Sequence, residues 1–236
     1  MGFISVAKRL AISARAGLAC RGCLGPLDDE AEAGLCGRCW SGLLPLPEPR
    51  CPRCALEHDP EHPCPGPVDW TWGDALWDYH GGRPRLGALL VPGIKAGELG
   101  WKKALLRRAQ RADLPEYVCQ VDLVTSAPTL FLRRMLRGFD LPEETARLLG
   151  RRLGCPYQPL LRKSWKSGHQ GERSETERRR LPRKAITLAR GGSLGGRTIL
   201  LVDDVWTTGT TLLRCAQTLR EAGAEEVRVL TLFRAL

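Results

Sequence analysis

The sequence predicts an α/β domain built on a parallel sheet flanked by helices, preceded by a small metal-binding domain. Two observations carry this prediction. Seven of the ten cysteines lie within the first 64 residues, most of them in repeated Cys-x-x-Cys pairs. Residues 198–232 follow the order strand, polar turn, helix, glycine and strand, which is the pattern of a βαβ unit and therefore of parallel strands.

The composition excludes several classes of protein. The chain has 236 residues, 43% hydrophobic and 26% charged, which is typical of a globular protein. The net charge of +10 favours polyanionic partners such as phosphates, nucleotides or nucleic acid. No apolar run is long enough to span a bilayer, and charges interrupt residues 1–19. We therefore expect an amphipathic helix there rather than a signal peptide, and a cytoplasmic protein rather than an integral membrane protein.

Residues 1–68 are predicted to form a zinc-ribbon domain that ends in a Pro-rich linker. The segment is short and polar, so a metal would have to supply much of its folding stability. In a reducing compartment, paired Cys-x-x-Cys motifs indicate zinc rather than disulfides. The first predicted site has four thiolate ligands, namely Cys20, Cys23, Cys36 and Cys39.

A second zinc site is predicted with three thiolates, those of Cys51, Cys54 and Cys64. The expected fourth cysteine position, three residues beyond Cys64, is a proline. Either His58 or His62 would complete the site, because imidazole also suits zinc. The alternative is that these histidines are only solvated. We expect any zinc to be structural, since no ligand position is left open for catalysis.

Residues 69–236 are predicted to form the α/β domain. Residues 162–190 hold ten Lys or Arg and only three acidic residues, so we expect a mobile basic loop or a frayed helix there. The predicted elements are strands at 70–79, 118–125, 198–202 and 227–232, and helices at 86–91, 99–112, 141–153 and 212–222.

The string from Ile199 to Leu212 gives the clearest indication of a ligand-binding site. A buried strand ends in two carboxylates, Asp203 and Asp204, and a turn rich in Thr and Gly leads into a helix. Ligands bind at the carboxyl ends of parallel strands, and the free amides of a helix N-terminus favour a phosphate. The carboxylates would repel that phosphate unless they face ribose hydroxyls with a divalent cation nearby. The alternative is that these residues only cap the helix.

At this point the sequence resembles a known family. The string is similar to the phosphoribosyl-pyrophosphate (PRPP) motif of type I phosphoribosyltransferases. With the cysteine pattern, the chain resembles the ComF/GntX-like family of competence-associated phosphoribosyltransferase-like proteins, which have an N-terminal double zinc ribbon. The matching segments are Cys36-Gly-Arg-Cys39-Trp40, Cys51-Pro-Arg-Cys54, Ile94-Lys95-Ala-Gly97-Glu98, Arg133 to Phe139, and a loop with Gln170 and Glu177-Arg178-Arg179.

The resemblance implies the type I phosphoribosyltransferase fold and a site for PRPP with Mg²⁺. By analogy, Asp203 and Asp204 would be the catalytic pair that binds the ribose hydroxyls. The 5′-phosphate would be held by Thr207, Thr208, Gly209, Thr210 and Thr211. The pyrophosphate side and closing loop would include Ser126, Ala127, Arg137, Gln170 and Arg178.

The chain departs from the family pattern on the pyrophosphate side. The family usually has Pro-Val-Pro where this chain has Ser126-Ala127-Pro128, and Asn-Gln where it has Asp140-Leu141. Ligand binding is therefore a firmer expectation than turnover.

Three functions remain open at this stage. The first is a PRPP-dependent transferase of unknown acceptor, linked to DNA uptake and natural competence. The second is a catalytically silent PRPP-sensing module that binds single-stranded DNA. The third is an interaction module that docks a helicase or a DNA-uptake channel protein. A DNA track would combine the basic residues between 102 and 111 with the 162–190 loop, and Trp101 and Trp165 would stack on bases. The alternative is a solvated cationic helix face and a loop whose charges serve only the pyrophosphate.

Overall fold

The computed structural model describes residues 17, 19–58, 63, 64, 66, 68–164, 185–189 and 193–235. The predicted N-terminal helix, His62, Trp165, Gln170 and Arg178 lie outside these residues. In chain order the helices and strands are α1 (Gly37–Trp40), β1 (Trp72–Asp78), α2 (Leu86–Lys95), α3 (Leu99–Arg111), a 3-10 helix (Glu116–Cys119), β2 (Leu123–Ser126), α4 (Phe131–Arg137), α5 (Leu141–Leu153), β3 (Leu161–Lys163), β4 (Ile186–Leu188), β5 (Thr198–Trp206), α6 (Thr210–Glu221) and β6 (Glu226–Arg234).

A four-stranded parallel sheet forms the centre of the molecule. Its strand order is β1-β6-β5-β2, and every neighbouring pair runs parallel. Residues 199–202 of β5 are fully buried, as expected for a strand covered on both faces. β3 and β4 form a separate antiparallel pair. The parallel arrangement brings the carboxyl ends of β2 and β5 to one edge of the sheet.

Two apolar layers cover the two faces of this sheet. Leu200 and Val202 of β5 pack in one core cluster with residues of α2, α3 and α5, such as Leu90. Ile199 and Leu201 pack in another with residues of α6. This alternation follows from the two-residue period of a strand. It places the side chains of Asp203 and Asp204, which continue β5, on opposite faces of the sheet.

The cysteine-rich segment packs against both layers. Cys20, Cys36 and Cys39 belong to the cluster that contains α2 and α3. Cys54 belongs to the cluster that contains α6. The two groups of cysteines therefore lie on opposite sides of the sheet. The predicted domain boundary after residue 68 stays a prediction.

Some predicted boundaries were wrong. β5 was expected to end at Val202, but it continues through the acid pair to Trp206, because β6 pairs with it as far as Arg234. Ladder pairing thus overrides the low strand propensity of Asp. The strand predicted from residue 118 begins only at Leu123, after the 3-10 helix. α4 and the β3–β4 pair were not predicted. Within the described ranges no helix is both long and apolar enough to cross a membrane.

Candidate functional site

A cavity of about 230 Å³ opens at the carboxyl edge of the sheet. It lies where the end of β2, the end of β5 and the start of α6 meet, which is the expected ligand position in an open α/β sheet. Its lining includes Lys95, Ala127, Pro128, Thr129, Arg133, Arg137, Asp140, Lys163, Asp203, Asp204 and Thr211.

The acid pair lies in this cavity, with each carboxylate in a different environment. Asp204 is 8% exposed, and its Oδ2 lies 2.6 Å from Nζ of Lys95, the last residue of α2. Asp203 lies on the α6 side. Burial, and then repulsion from Asp204, raises the pKa of Asp203 to about 8, although Lys95 and Lys163 oppose the shift. Donated hydrogen bonds from ligand hydroxyls would favour its ionised form.

The turn after β5 presents free amides to a second, smaller cavity of about 50 Å³, which Asp203 also lines. The N-cap of α6 is Gly209 at φ +75°, and no side chain of the described residues forms a capping hydrogen bond there. Among the hydrogen bonds of the described residues, none is donated by the amides of Thr207, Thr208 or Gly209. The Oγ1 atoms of Thr208 and Thr210 lie 3.0 Å apart. The turn is therefore open to a ligand, and Asp and Thr are not acting as caps.

The segment after β2 forms the opposite wall. Ala127, Pro128 and Thr129 line the cavity. Ser126 lies behind them, buried, with its Oγ 3.1 Å from the hydroxyl of Tyr157. The structure thus brings Ala127 to the cavity wall and Ser126 into a side-chain hydrogen bond.

Asp140 lies beside this wall, at a position where the family usually has Asn. Its Oδ1 accepts a hydrogen bond of 3.2 Å from Thr129 Oγ1. Burial raises the pKa of Asp140. The Thr129 hydroxyl therefore holds the Asp140 carboxylate against this wall.

Basic side chains without carboxylate partners complete the lining. Arg133 and Arg137 of α4 and Lys163 of β3 line the cavity, and none of them forms an ion pair with a described carboxylate. By contrast, Arg134 of the same helix lies 2.6 Å from Glu143. The cavity therefore carries positive charge available to an anion.

Sequence reasoning missed several of these lining residues as site residues, above all Lys95, Arg133 and Lys163. Lys95 and Arg133 stood in segments that carried the family resemblance, so that signal was present. Lys163 stood at the start of the basic stretch. Nothing local in the sequence showed that Lys95 would meet Asp204, because 109 positions separate them (204 − 95).

The first cysteine cluster has the geometry of a tetrahedral metal site. The ligand atoms of its four cysteines lie within 4.8 Å of one another. Sγ of Cys20 is 3.5 Å from that of Cys39, and Sγ of Cys23 is 3.7 Å from that of Cys36. Four thiolates bound to zinc at about 2.3 Å would lie about 3.8 Å apart, which agrees with these distances. The donor set therefore fits zinc.

Backbone amides stabilise the thiolate of Cys20, one ligand of this cluster. Amides of Gly22 and Cys36 each donate to Cys20 Sγ at 3.3 Å. Burial alone would raise the pKa of the Cys20 thiol, but these and other backbone hydrogen bonds lower it to about 6. A thiolate is the form that binds zinc.

The second cluster consists of Cys51, Cys54, His58 and Cys64, again with all ligand atoms within 4.8 Å of one another. Sγ of Cys51 lies 3.8 Å from that of Cys64. Of the two candidate histidines, the structure places His58 in the cluster. Burial opposes ionisation of Cys51, but backbone hydrogen bonds from Arg53 and Cys54 lower its pKa to about 7. Three thiolates and one imidazole also fit zinc.

The basic face of α3 is partly committed to contacts within the chain. Arg107 and Arg108 form ion pairs with Glu32, and Lys102 lies 2.7 Å from Glu144. The expectation that Trp101 stacks on bases was wrong. Trp101 is 4% exposed, and its indole donates a hydrogen bond of 2.9 Å to the carbonyl of Ala33.

Known proteins resemble parts of this chain. Residues 137–236 match the model of the phosphoribosyl transferase domain. The chain is 32% identical over 131 residues to Competence protein F of Haemophilus influenzae, covering 55% of each protein. It is 47% identical over 45 residues to orotate phosphoribosyltransferase of Rhodopseudomonas palustris, covering 19% of this chain and 24% of that enzyme. The match thus spans about half of the first relative and about a quarter of the second.

Among solved structures, the chain is similar to glutamine phosphoribosylpyrophosphate amidotransferase from B. subtilis, at 27% identity and a TM-score of 0.39, covering 56% of this chain and 26% of that one. The predicted fold class is confirmed by the parallel sheet flanked by helices and by the domain match. The resemblance to the competence-associated family is confirmed by the Haemophilus relative, the domain match and the two metal-ligand clusters.

Proposed function

We propose that the cavity at the carboxyl edge of the sheet binds PRPP together with Mg²⁺. The observation that carries the proposal is the open turn at Thr207–Gly209 beside Asp203 and Asp204. Unpaired amides and the positive end of α6 stabilise a phosphate, whereas carboxylates accept hydrogen bonds from hydroxyls. A ligand that carries both a phosphate and a ribose diol uses both halves of the site.

The opposite wall favours PRPP over a simple ribose phosphate. Arg133 and Arg137, on the helix that follows this wall, supply positive charge that a single 5′-phosphate on the turn would leave unused, and Lys163 adds positive charge near Asp203. A pyrophosphate group suits that charge. Mg²⁺ prefers oxygen ligands and keeps several waters, so it would enter with the phosphates of the ligand.

Transfer would then depend on positioning and electrostatics. The bond between the anomeric carbon and the pyrophosphate oxygen breaks, and its electron pair leaves with the pyrophosphate. The cations of the opposite wall neutralise that charge, while Asp203 and Asp204 hold the ribose. Ribose hydroxyls compete with Lys95 for Asp204, which frees the ammonium of Lys95 to reach the pyrophosphate. An electron pair of the acceptor nucleophile forms the new bond to the anomeric carbon as the bond to pyrophosphate breaks.

The metal clusters have a structural role in this proposal. Zinc in each cluster supplies folding stability to a zinc-ribbon domain of residues 1–68, joined to a phosphoribosyltransferase-like domain of residues 69–236. Cysteine clusters that hold zinc are typical of a reducing compartment, so the proposal includes a cytoplasmic location.

Calorimetry with PRPP and Mg²⁺ tests the binding site. The double variant Asp203→Asn/Asp204→Asn should weaken binding at least 100-fold, because both ionised acceptors for the ribose hydroxyls are lost. Asp122→Asn is the matched control, since Asp122 accepts from the Thr198 amide at the start of β5. Equal affinity of the double variant and the control contradicts the assignment.

A second candidate is a role in DNA uptake, with or without turnover. The name of the Haemophilus relative and the net charge of +10 favour it. Release of pyrophosphate from PRPP with candidate acceptors separates an enzyme from a silent PRPP sensor. Salt-dependent binding of labelled single-stranded DNA supports a DNA-handling module. If the protein neither releases pyrophosphate nor binds DNA, specific capture of a helicase or channel protein would support the interaction module.

A further inference from the structure

The side chain of Arg234 lies between the second metal-ligand cluster and the turn that follows β5. It is the last residue of β6 and only 6% exposed. Its Nη1 donates to the carbonyls of Trp206 at 2.9 Å and Thr207 at 2.7 Å. Its Nε donates to the carbonyl of Cys54 at 3.3 Å. One guanidinium thus contacts a cysteine of the cluster and the first two peptides of the turn.

A second contact between the same two parts is aromatic. The indole of Trp70 donates to the carbonyl of Arg53 at 2.7 Å. The ring of Trp70 packs edge-on against that of Trp206, with centroids 5.2 Å apart. The guanidinium of Arg234 lies 4.6 Å from the Trp206 ring. The Cys-x-x-Cys loop at 51–54 is therefore linked to Trp206 in two ways, through Trp70 and through Arg234.

Arg234 forms no ion pair with any carboxylate in the described ranges, and its charge is satisfied there by carbonyl oxygens. Burying a guanidinium without a carboxylate partner costs desolvation free energy, so its contribution to stability is small. Its hydrogen bonds instead fix the orientation of two peptide groups. In a trans peptide the N–H points opposite to the C=O. Because Arg234 holds the carbonyls of Trp206 and Thr207, it turns the amides of Thr207 and Thr208 away from itself.

We propose that Arg234 is a positioning residue that couples metal occupancy of the second cluster to the geometry of the phosphate-binding turn. The proposal rests on the proposed function for its ligand, but the coupling itself is independent of any ligand. A metal that orders the loop at Cys54 fixes one acceptor of Arg234. The guanidinium is then held where it can orient the turn.

The test compares two arginines of the same strand. Arg228 is also on β6, and its Nη1 donates to the carbonyls of Tyr117 and Gln120 at the opposite end of the sheet. Arg234→Met should raise the Kd for ribose 5-phosphate at least tenfold, about 1.4 kcal/mol, whereas Arg228→Met should change it less than twofold. Arg234→Lys should give an intermediate Kd, because an ammonium group still donates hydrogen bonds but lacks the planar, forked geometry of a guanidinium.

Hydrogen exchange gives a readout that needs no ligand. The amide of Ala235 donates to the Trp206 carbonyl, and that of Leu213 to the Gly209 carbonyl, so both report on the turn. In the metal-loaded protein, Arg234→Met should speed their exchange at least tenfold. Cys51→Ser should do the same by removing a ligand of the second cluster. Arg228→Met, at the opposite end of the sheet, should leave both amides unchanged.

The outcomes separate this coupling from the proposed function. Unchanged exchange at Leu213 and Ala235 in both Arg234→Met and Cys51→Ser would overturn the coupling. Equal acceleration by Arg228→Met would also overturn it, because the effect would then be general destabilisation. Wild-type protein that binds neither ribose 5-phosphate nor PRPP refutes the proposed function, and the exchange measurements still decide the coupling.

Discussion

Replacing Asp203 by Asn should make the free protein more stable at neutral and alkaline pH. The folded structure raises the pKa of Asp203 from 3.8 to about 8, first through burial and then through repulsion from Asp204. Between these two values the unfolded chain has lost the proton and the folded chain keeps it. The folded state therefore binds more protons, and stability falls as pH rises, by about 1.4 kcal/mol per pH unit.

The slope of stability against pH sets the size of the expected difference between the two proteins. From about pH 5 to about pH 8, Asp203 should cost the wild type roughly 4 kcal/mol of unfolding free energy that Asp203→Asn does not lose. Urea unfolding of both proteins at several pH values measures the difference. The two stability curves should diverge as pH rises, with the variant above. Parallel curves over this range would show that Asp203 ionises normally in the folded protein and would refute the reasoning.

Three further predictions concern the cations and the metal. Lys95→Met should weaken PRPP binding about tenfold in calorimetry. Because Lys95 lowers the pKa of Asp203, its removal should raise that pKa further and enlarge the pH dependence described above; an unchanged pH dependence would contradict the action of Lys95 on the acid pair. Arg133→Met/Arg137→Met should weaken PRPP at least tenfold but ribose 5-phosphate less than twofold, and equal losses for both ligands would contradict their place on the pyrophosphate side. Cys23→Ser should release one zinc by metal analysis and lower the melting temperature, and full zinc content in this variant would contradict the first cluster.

Features encoded within a short stretch were predicted well. The spacing of Cys20, Cys23, Cys36 and Cys39 indicated a four-thiolate site because knuckle ligands are close in sequence, and their sulfur atoms do cluster. The helix predicted at 141–153 has those bounds in the structure, since apolar periodicity and Gly154 define it locally. The parallel sheet followed from the βαβ pattern at the C-terminus.

Features that depend on distant residues were predicted poorly. The predicted strand stopped at Val202, just before the acid pair, yet β5 runs through the pair to Trp206, because pairing with β6 extends the strand. Trp101 was expected to be exposed, but the cysteine-rich segment covers it. The choice of His58 as the fourth ligand of the second cluster also required the fold.

The sequence by itself determined the chemistry available to this protein: two groups of thiolates, an acid pair, and a turn of Thr and Gly before a helix. The tertiary structure decided which charges meet. Lys95 reaches Asp204, and Arg234 joins Cys54 to the peptides of Trp206 and Thr207. The physical reason is that patterns of spacing encode local geometry, whereas contacts across the sheet arise only when strands and helices pack around a common core.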